Sequence, residues 1–131
     1  MTIAQRAIDA SAKLLVQDIQ RDATDRDRLR EEWRVAADLH VDLDDLAQRL
    51  KEGKSIFFDE LLAELVAGGM RIGEAERTAN TSDAYKQYLH KMHDARKSAA
   101  KQRVEVENRD RIYWSHVSRE ANDRTDRRMS R

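Results

Sequence analysis

The chain has no cysteine and no proline, and its four glycines all fall between Gly53 and Gly73. Without cysteine, disulfides and thiolate metal ligands are excluded. With no proline and a confined glycine set, residues 1–52 and 74–131 lack both residue types that reliably stop a helix. Aromatic residues make up 5% of the chain and charged residues 38%. Leu, Ile, Val and Phe are sparse too, which favours a narrow helical seam over a thick globular centre. Disordered chains share this bias, but the abundant Ala, Leu, Arg, Glu and Gln are strong helix formers. The longest apolar stretch, Leu61 to Ala67, is broken by Glu64 and is too short for a bilayer. The opening run Met1-Thr2-Ile3-Ala4-Gln5-Arg6 is already polar and periodic, unlike a signal peptide. A cytoplasmic protein with no membrane partner is expected.

At 131 residues the length prior gives one domain, 1–131. The formal net charge of zero conceals a polarity along the chain. Residues 1–85 carry twelve basic and eighteen acidic side chains, whereas residues 86–131 carry thirteen and seven. Such a split suits intramolecular or head-to-tail complementarity, a basic tail for an acidic partner, or two solvated faces of opposite bias.

Small or apolar residues recur at alternating spacings of four and three: Ile8, Ala12, Leu15, Ile19, then Leu29, Trp33, Ala36, Leu43, Ala47 and Leu50. Only Asp22, Arg26 and His40 interrupt this heptad row. Residues 20–28 hold no large apolar side chain, and Thr24 with Asp27 makes a capping pair there. Helices are therefore expected over about 2–22 and 25–52. Gly53 suits a helix C-cap. Ser55 can then cap a short helix over 55–67 carrying Phe57, Phe58, Leu61, Leu62 and Leu65, ended by Gly68-Gly69. Met70 and Ile72 are expected in a loop running toward Asn80. Thr81, Ser82 or Asp83 starts a last helix, 83–128, whose final 10–15 residues form a basic tail that can fray.

In that helix Tyr85, Met92, Ala99, Val106 and Tyr113 repeat every seven residues, whereas Leu89, Arg96, Arg103, Asp110 and Val117 are charged in the middle. One seam is apolar and its companion is not, so a narrow, alanine-rich stripe should lean on other helices. A helix of about 46 residues would reach roughly 70 Å, so part of it must project, dimerise or break.

Candidate chemistry is thin. Gly53-Lys54-Ser55 matches the end of a phosphate-binding loop, but Gln48 stands where its first glycine is needed and no strand precedes it. A capping turn explains it better. His90 and His93 lie one turn apart beside Asp94, and two ligands do not make a zinc site. Asp59, Glu60 and Glu64 share helical spacing without a second acidic pair or a Glu-x-x-His motif, which reads as a solvated acidic face. No serine or threonine sits in a nucleophile elbow. The expectation is no catalytic residue, no cofactor, no metal and no small-molecule substrate.

Ile112-Tyr113-Trp114 is the aromatic cluster of the last helix, and Val117 follows one turn on. Arg109, Arg111, Arg119, Arg124, Arg127, Arg128 and Arg131 surround it. Tryptophan, tyrosine and arginine dominate binding hot spots, and the same trio can stack on bases and neutralise phosphates. Asp110, Glu120, Asp123 and Asp126 are interleaved with the arginines and dilute any phosphate track. Partner binding is therefore assigned to Tyr113, Trp114, Val117, Arg109, Arg119, Arg124, Arg127 and Arg128, a protein being favoured over nucleic acid; plain packing by Tyr113 and Trp114 is the alternative.

The segment from Ala99 to Arg128 resembles the ends of small helical proteins encoded in early or recombination-associated regions of tailed bacteriophages. The matching residues are Trp114, Arg119, Glu120, Ala121 and Arg124, then Arg127-Arg128-Met129; Ser115 and Asp123 depart from the pattern. The resemblance covers about a quarter of the chain. It implies phage or prophage origin and an accessory role in DNA metabolism, assembly or inhibition of a host system.

The resulting expectation is an all-α protein with no β-sheet: a long helical hairpin or small bundle with coiled-coil-like packing. Helices 25–52 and 83–128 would pack antiparallel, with 55–67 covering their junction. Leu29, Trp33, Leu43, Leu50, Phe57, Phe58, Leu61, Leu65, Leu89 and Met92 would form the core. Functionally it would be a non-catalytic interaction or assembly module, self-associating as a dimer, docking on or inhibiting a larger machine. The alternative is a nucleic-acid-associated factor using the C-terminal arginines.

Overall fold

In the computed structural model, which describes residues 2–130, the protein is all-α, and no strand occurs among the described residues. Three helices follow one another: α1 (Ile3–Ala67), α2 (Ile72–Thr81) and α3 (Asp83–Met129). Among the described residues no helix is long and apolar enough to cross a membrane.

The expected breaks within α1 do not occur. Thr24 does not cap a new helix; its hydroxyl donates to the Gln20 carbonyl one turn back at 2.9 Å, a bond that interior helical threonines make. Gly53 and Ser55 lie inside α1. Gly53 is there for clearance: a Cβ at this position would stand 2.8 Å from the Tyr88 hydroxyl. That hydroxyl donates to the Leu50 carbonyl at 2.5 Å, and the Tyr88 ring stacks on Phe57 at 4.6 Å. The helix tolerates glycine's roughly 1 kcal/mol propensity cost because the Tyr88 side chain occupies the space a Cβ would take.

The stop comes sixteen residues later, where the paired glycines supply it. Met70 N–H reaches the Leu65 carbonyl and Gly69 N–H the Val66 carbonyl, with Gly69 at φ +100°. This is a Schellman ending, which needs the left-handed conformation that glycine enters without steric cost. The segment expected as a loop after Met70 is α2. Ala75 and Ala79, four residues apart, are fully buried, so a one-residue-wide apolar stripe holds this short helix. Ser82 is extended and separates α2 from α3. Its hydroxyl accepts the Tyr85 N–H and donates to the Ala79 carbonyl, the N-cap role that serine suits. α3 then runs to Met129, through the residues expected to fray.

The chain forms two compact units, divided between Ala36 and Ala37 on α1 and between Val104 and Glu105 on α3. In the central unit, α1 and α3 run antiparallel: Leu50 meets Tyr88, and Phe58 meets Tyr85 edge to face at 5.2 Å. Its buried residues are Ala47, Ala75, Ala79, Met92, Ala95 and Ala99. In the terminal unit the two helices are again antiparallel, Arg26 lying by Glu120, Arg30 by Tyr113 and Glu32 by Arg109.

The core differs in kind from the expected one. Met92 is buried, but Leu29, Leu43, Leu50, Phe57, Phe58, Leu61, Leu65 and Leu89 are half-buried, and Trp33 is 36% exposed. The fully covered positions are mostly alanines, and the large side chains are only partly covered. A buried methyl brings only about 0.8 kcal/mol, so the half-covered leucines and rings carry most of the apolar stabilisation.

Candidate interaction surface

The heptad row read on α3 is the packed one: Tyr85 and Val106 are half-buried, and Met92, Ala99 and Tyr113 are buried. Its companion begins three residues later, not four. Tyr88, Gln102, Arg109 and His116 are half-buried and Ala95 is buried, whereas Arg96 and Arg103 are exposed. The next step of the apolar row after Tyr113 is Glu120, only 4% exposed. On α1 the polar interruption Asp22 and Arg26 is half-buried in the same terminal unit, with Arg26 Nη1 3.8 Å from Glu120 Oε2. The two polar gaps thus meet one another. His116 Nε2 at 2.8 Å and Arg124 Nη2 at 3.5 Å complete the surroundings of the carboxylate. None of these neighbours makes a hydrogen bond to it, so both Glu120 oxygens and His116 Nε2 are buried without one. Only proximity of charge is left to set against the cost of removing Glu120 from water.

The residues assigned to partner binding separate into three groups. Tyr113, Val117 and Arg109 face inward. Tyr113 accepts a hydrogen bond from Arg30 Nη2 at 3.0 Å, and the Arg30 guanidinium carbon lies 5.7 Å from its ring centroid. The hydrogen bond to Tyr113 holds the Arg30 guanidinium above its ordinary pKa. Arg109 bridges Glu105 at 2.7 Å and Glu32 at 2.9 Å. Its pKa is raised, chiefly by the hydrogen bond to Glu105. These groups are engaged within the fold, Tyr113 with Arg30 and Arg109 with Glu32 and Glu105.

Trp114 and Arg119 face outward. The indole is 56% exposed and rests edge-on against Tyr113, with ring centroids 5.2 Å apart. With Arg111, Ser115, Ser118 and Arg119 it lines a shallow surface depression that also includes Asp110 and Asn122. Ile112 on the neighbouring surface is exposed as well. Arg124, Arg127 and Arg128 form the third group, lining a cavity of about 190 Å³ against Leu15 and Ile19 of α1. Arg131 lies outside the described residues.

Arg26, Arg30, Glu32, His116 and Glu120 were not foreseen. Extending the seven-residue row one step beyond Tyr113 would have found Glu120, and starting its companion at Tyr88 would have found His116. The long-range partners on α1 carry no such signal. His90 and Asp94 are exposed neighbours 3.8 Å apart. Among the described residues no three His, Asp or Glu side chains gather as metal ligands.

Fold and surface thus define an all-α protein that presents tryptophan and arginine outward from one long helix. No protein-family model matches the chain, and neither a curated protein nor a solved structure does.

Proposed function

We propose that the protein is a non-catalytic interaction and assembly module, which self-associates and docks by the outer face of α3 on a larger protein machine of a phage or its host. The observation that carries this reading is Trp114: a large aromatic held by the buried Tyr113 ring, still mostly exposed, with Arg111 and Arg119 beside it. A rigid aromatic loses little entropy on binding, and flanking guanidiniums supply fixed donors, the combination that dominates hot spots. Inward-facing Tyr113 and Arg109 serve by positioning that face. The test compares immobilised wild type with Trp114→Ala on extracts of infected and uninfected cells. A protein retained by wild type and lost by the variant is the expected result; equal retention overturns the docking role.

A second reading, a nucleic-acid-associated factor, draws on the exposed Arg111, Arg119, Arg124, Arg127 and Arg128. Asp110 within the same depression weighs against it. DNA binding that falls steeply with salt and is lost on Arg119→Ala with Arg127→Ala would favour it.

A further inference from the structure

Two exposed apolar side chains stand among charges of opposite sign. On α1, Ile56 is 62% exposed. Glu52 lies four residues before it, Asp59 three after and Glu60 four after, so one helical face gathers three exposed carboxylates around one isoleucine. No lysine or arginine occurs from Ser55 to Met70. Among the described residues none of the three carboxylates is in an ion pair, and Glu52 accepts a hydrogen bond from Gln48 Nε2 at 2.9 Å. On α3 the mostly exposed Trp114 shares its shallow depression with Arg111 and Arg119, three residues before and five after, and with Ser115 and Ser118. Neither guanidinium is in an ion pair among the described residues, although Asp123 lies one turn beyond Arg119. Arg109 and Arg124 of the same helix, by contrast, are paired with glutamates within the fold. Asp110 is the one acid in the lining of the depression, which leaves an excess of positive charge there.

We infer that these two surfaces meet between copies: the Trp114 face of one copy takes up the Ile56 face of a second, head to tail. The inference rests on the assembly reading above and names how the copies join. Charge is the first argument, since unpaired carboxylates on one face answer unpaired guanidiniums on the other. Spacing is the second. Glu52 and Glu60 are eight residues apart, as are Arg111 and Arg119, so each pair spans about 12 Å of its helix. One helix laid along the other brings both carboxylates to both guanidiniums, whichever direction it runs. Ile56, midway between the two acids, then falls at Ser115, midway between the two arginines, beside the Trp114 indole. A small side chain at that point leaves room for the isoleucine, and the arrangement is an apolar anchor with a charged rim. The two faces differ, so the contact is heterologous. An open row of copies ends in one free Trp114 face, and that end is the one available to a larger machine.

Light scattering of the full-length chain over a concentration series should show association that weakens as salt is raised. Arg111→Glu with Arg119→Glu should weaken it about tenfold or more, and so should Glu52→Lys with Glu60→Lys. All four positions are exposed, so helicity by circular dichroism should be unchanged. Ile56→Ser, which alters no charge, should weaken association as well. Mixing the two double variants should restore it, because the Ile56 face of the first and the Trp114 face of the second are both native. Association that survives either double variant, or a mixture no better than the variants alone, overturns this interface and leaves the assembly reading standing. A wild type that is monomeric at all concentrations overturns both.

Discussion

Tyr113 and Trp114 are chain neighbours whose rings meet edge to face at 5.2 Å and 76°, yet Tyr113 is 8% exposed and Trp114 56%. One aromatic is packing and the next is surface, and the two make opposite predictions. Tyr113→Phe removes the acceptor of the Arg30 hydrogen bond, and Arg30 is exposed enough to turn to water. The loss should be about 1 kcal/mol in urea unfolding. Trp114→Ala should change stability by about 0.5 kcal/mol or less, as surface substitutions do. A large loss from Trp114→Ala would mean that the indole is structural and would remove it from the docking face.

Gly53 and Tyr88 supply a pair whose coupling reverses a sign. Alanine in a helix interior is ordinarily better than glycine by about 1 kcal/mol. Here the added Cβ would press on the Tyr88 hydroxyl at 2.8 Å, displacing it from the Leu50 carbonyl and the ring from Phe57. Gly53→Ala alone should therefore destabilise. In a Tyr88→Phe background, where the obstructing oxygen is gone, the same change should stabilise by about 0.5–1 kcal/mol. Additive effects in the double-mutant cycle would show that the close approach has no energetic weight.

The other glycines divide on backbone conformation. Gly69 holds a positive φ in the ending of α1, while Gly73 is helical in α2, and open space surrounds the Cβ position at both. Gly69→Ala should cost about 1–2 kcal/mol because the left-handed conformation crowds a Cβ. Gly73→Ala should gain about 0.5–1 kcal/mol by lowering the entropy of the unfolded chain. Unfolding midpoints of the two variants should move in opposite directions.

These pairs also show where the sequence was legible. The paired glycines, the start of α3 within Thr81 to Asp83 and the seven-residue row on α3 follow local rules, and each appears in the fold where those rules place it. Gly53 was misread as a cap because its reason lies in a tyrosine thirty-five residues away, and no local rule records a clearance made for a distant hydroxyl. Thr24 was misread for the converse reason. A helix already held by its row at Leu29 and beyond can run through a polar stretch, since propensity and tertiary contact outweigh one weak capping signal. On the surface, the cluster of aromatics and arginines was visible, but its division into inward and outward groups depends on which rows α1 covers.

Glu120 carries the last prediction. It occupies the position after Tyr113 in an otherwise apolar row, is nearly fully buried, and has no hydrogen bond to either oxygen. Its cationic neighbours are less committed: the Arg26 side chain is 37% exposed and that of Arg124 60%. Removing the carboxylate therefore leaves two guanidiniums that can reach water and His116 Nε2, which is buried without a hydrogen bond already, unlike the usual broken buried pair, where a stranded charge dominates the cost. Glu120→Leu should extend the apolar row against Ala23 and Arg26 and stabilise the protein by about 1 kcal/mol, seen as a rise of several degrees in Tm. Glu120→Gln, which keeps the shape and still lacks aligned partners, should give little of that gain. If Glu120→Leu instead lowers Tm, then attraction to Arg26 and Arg124 outweighs desolvation, and the polar gap is stabilising.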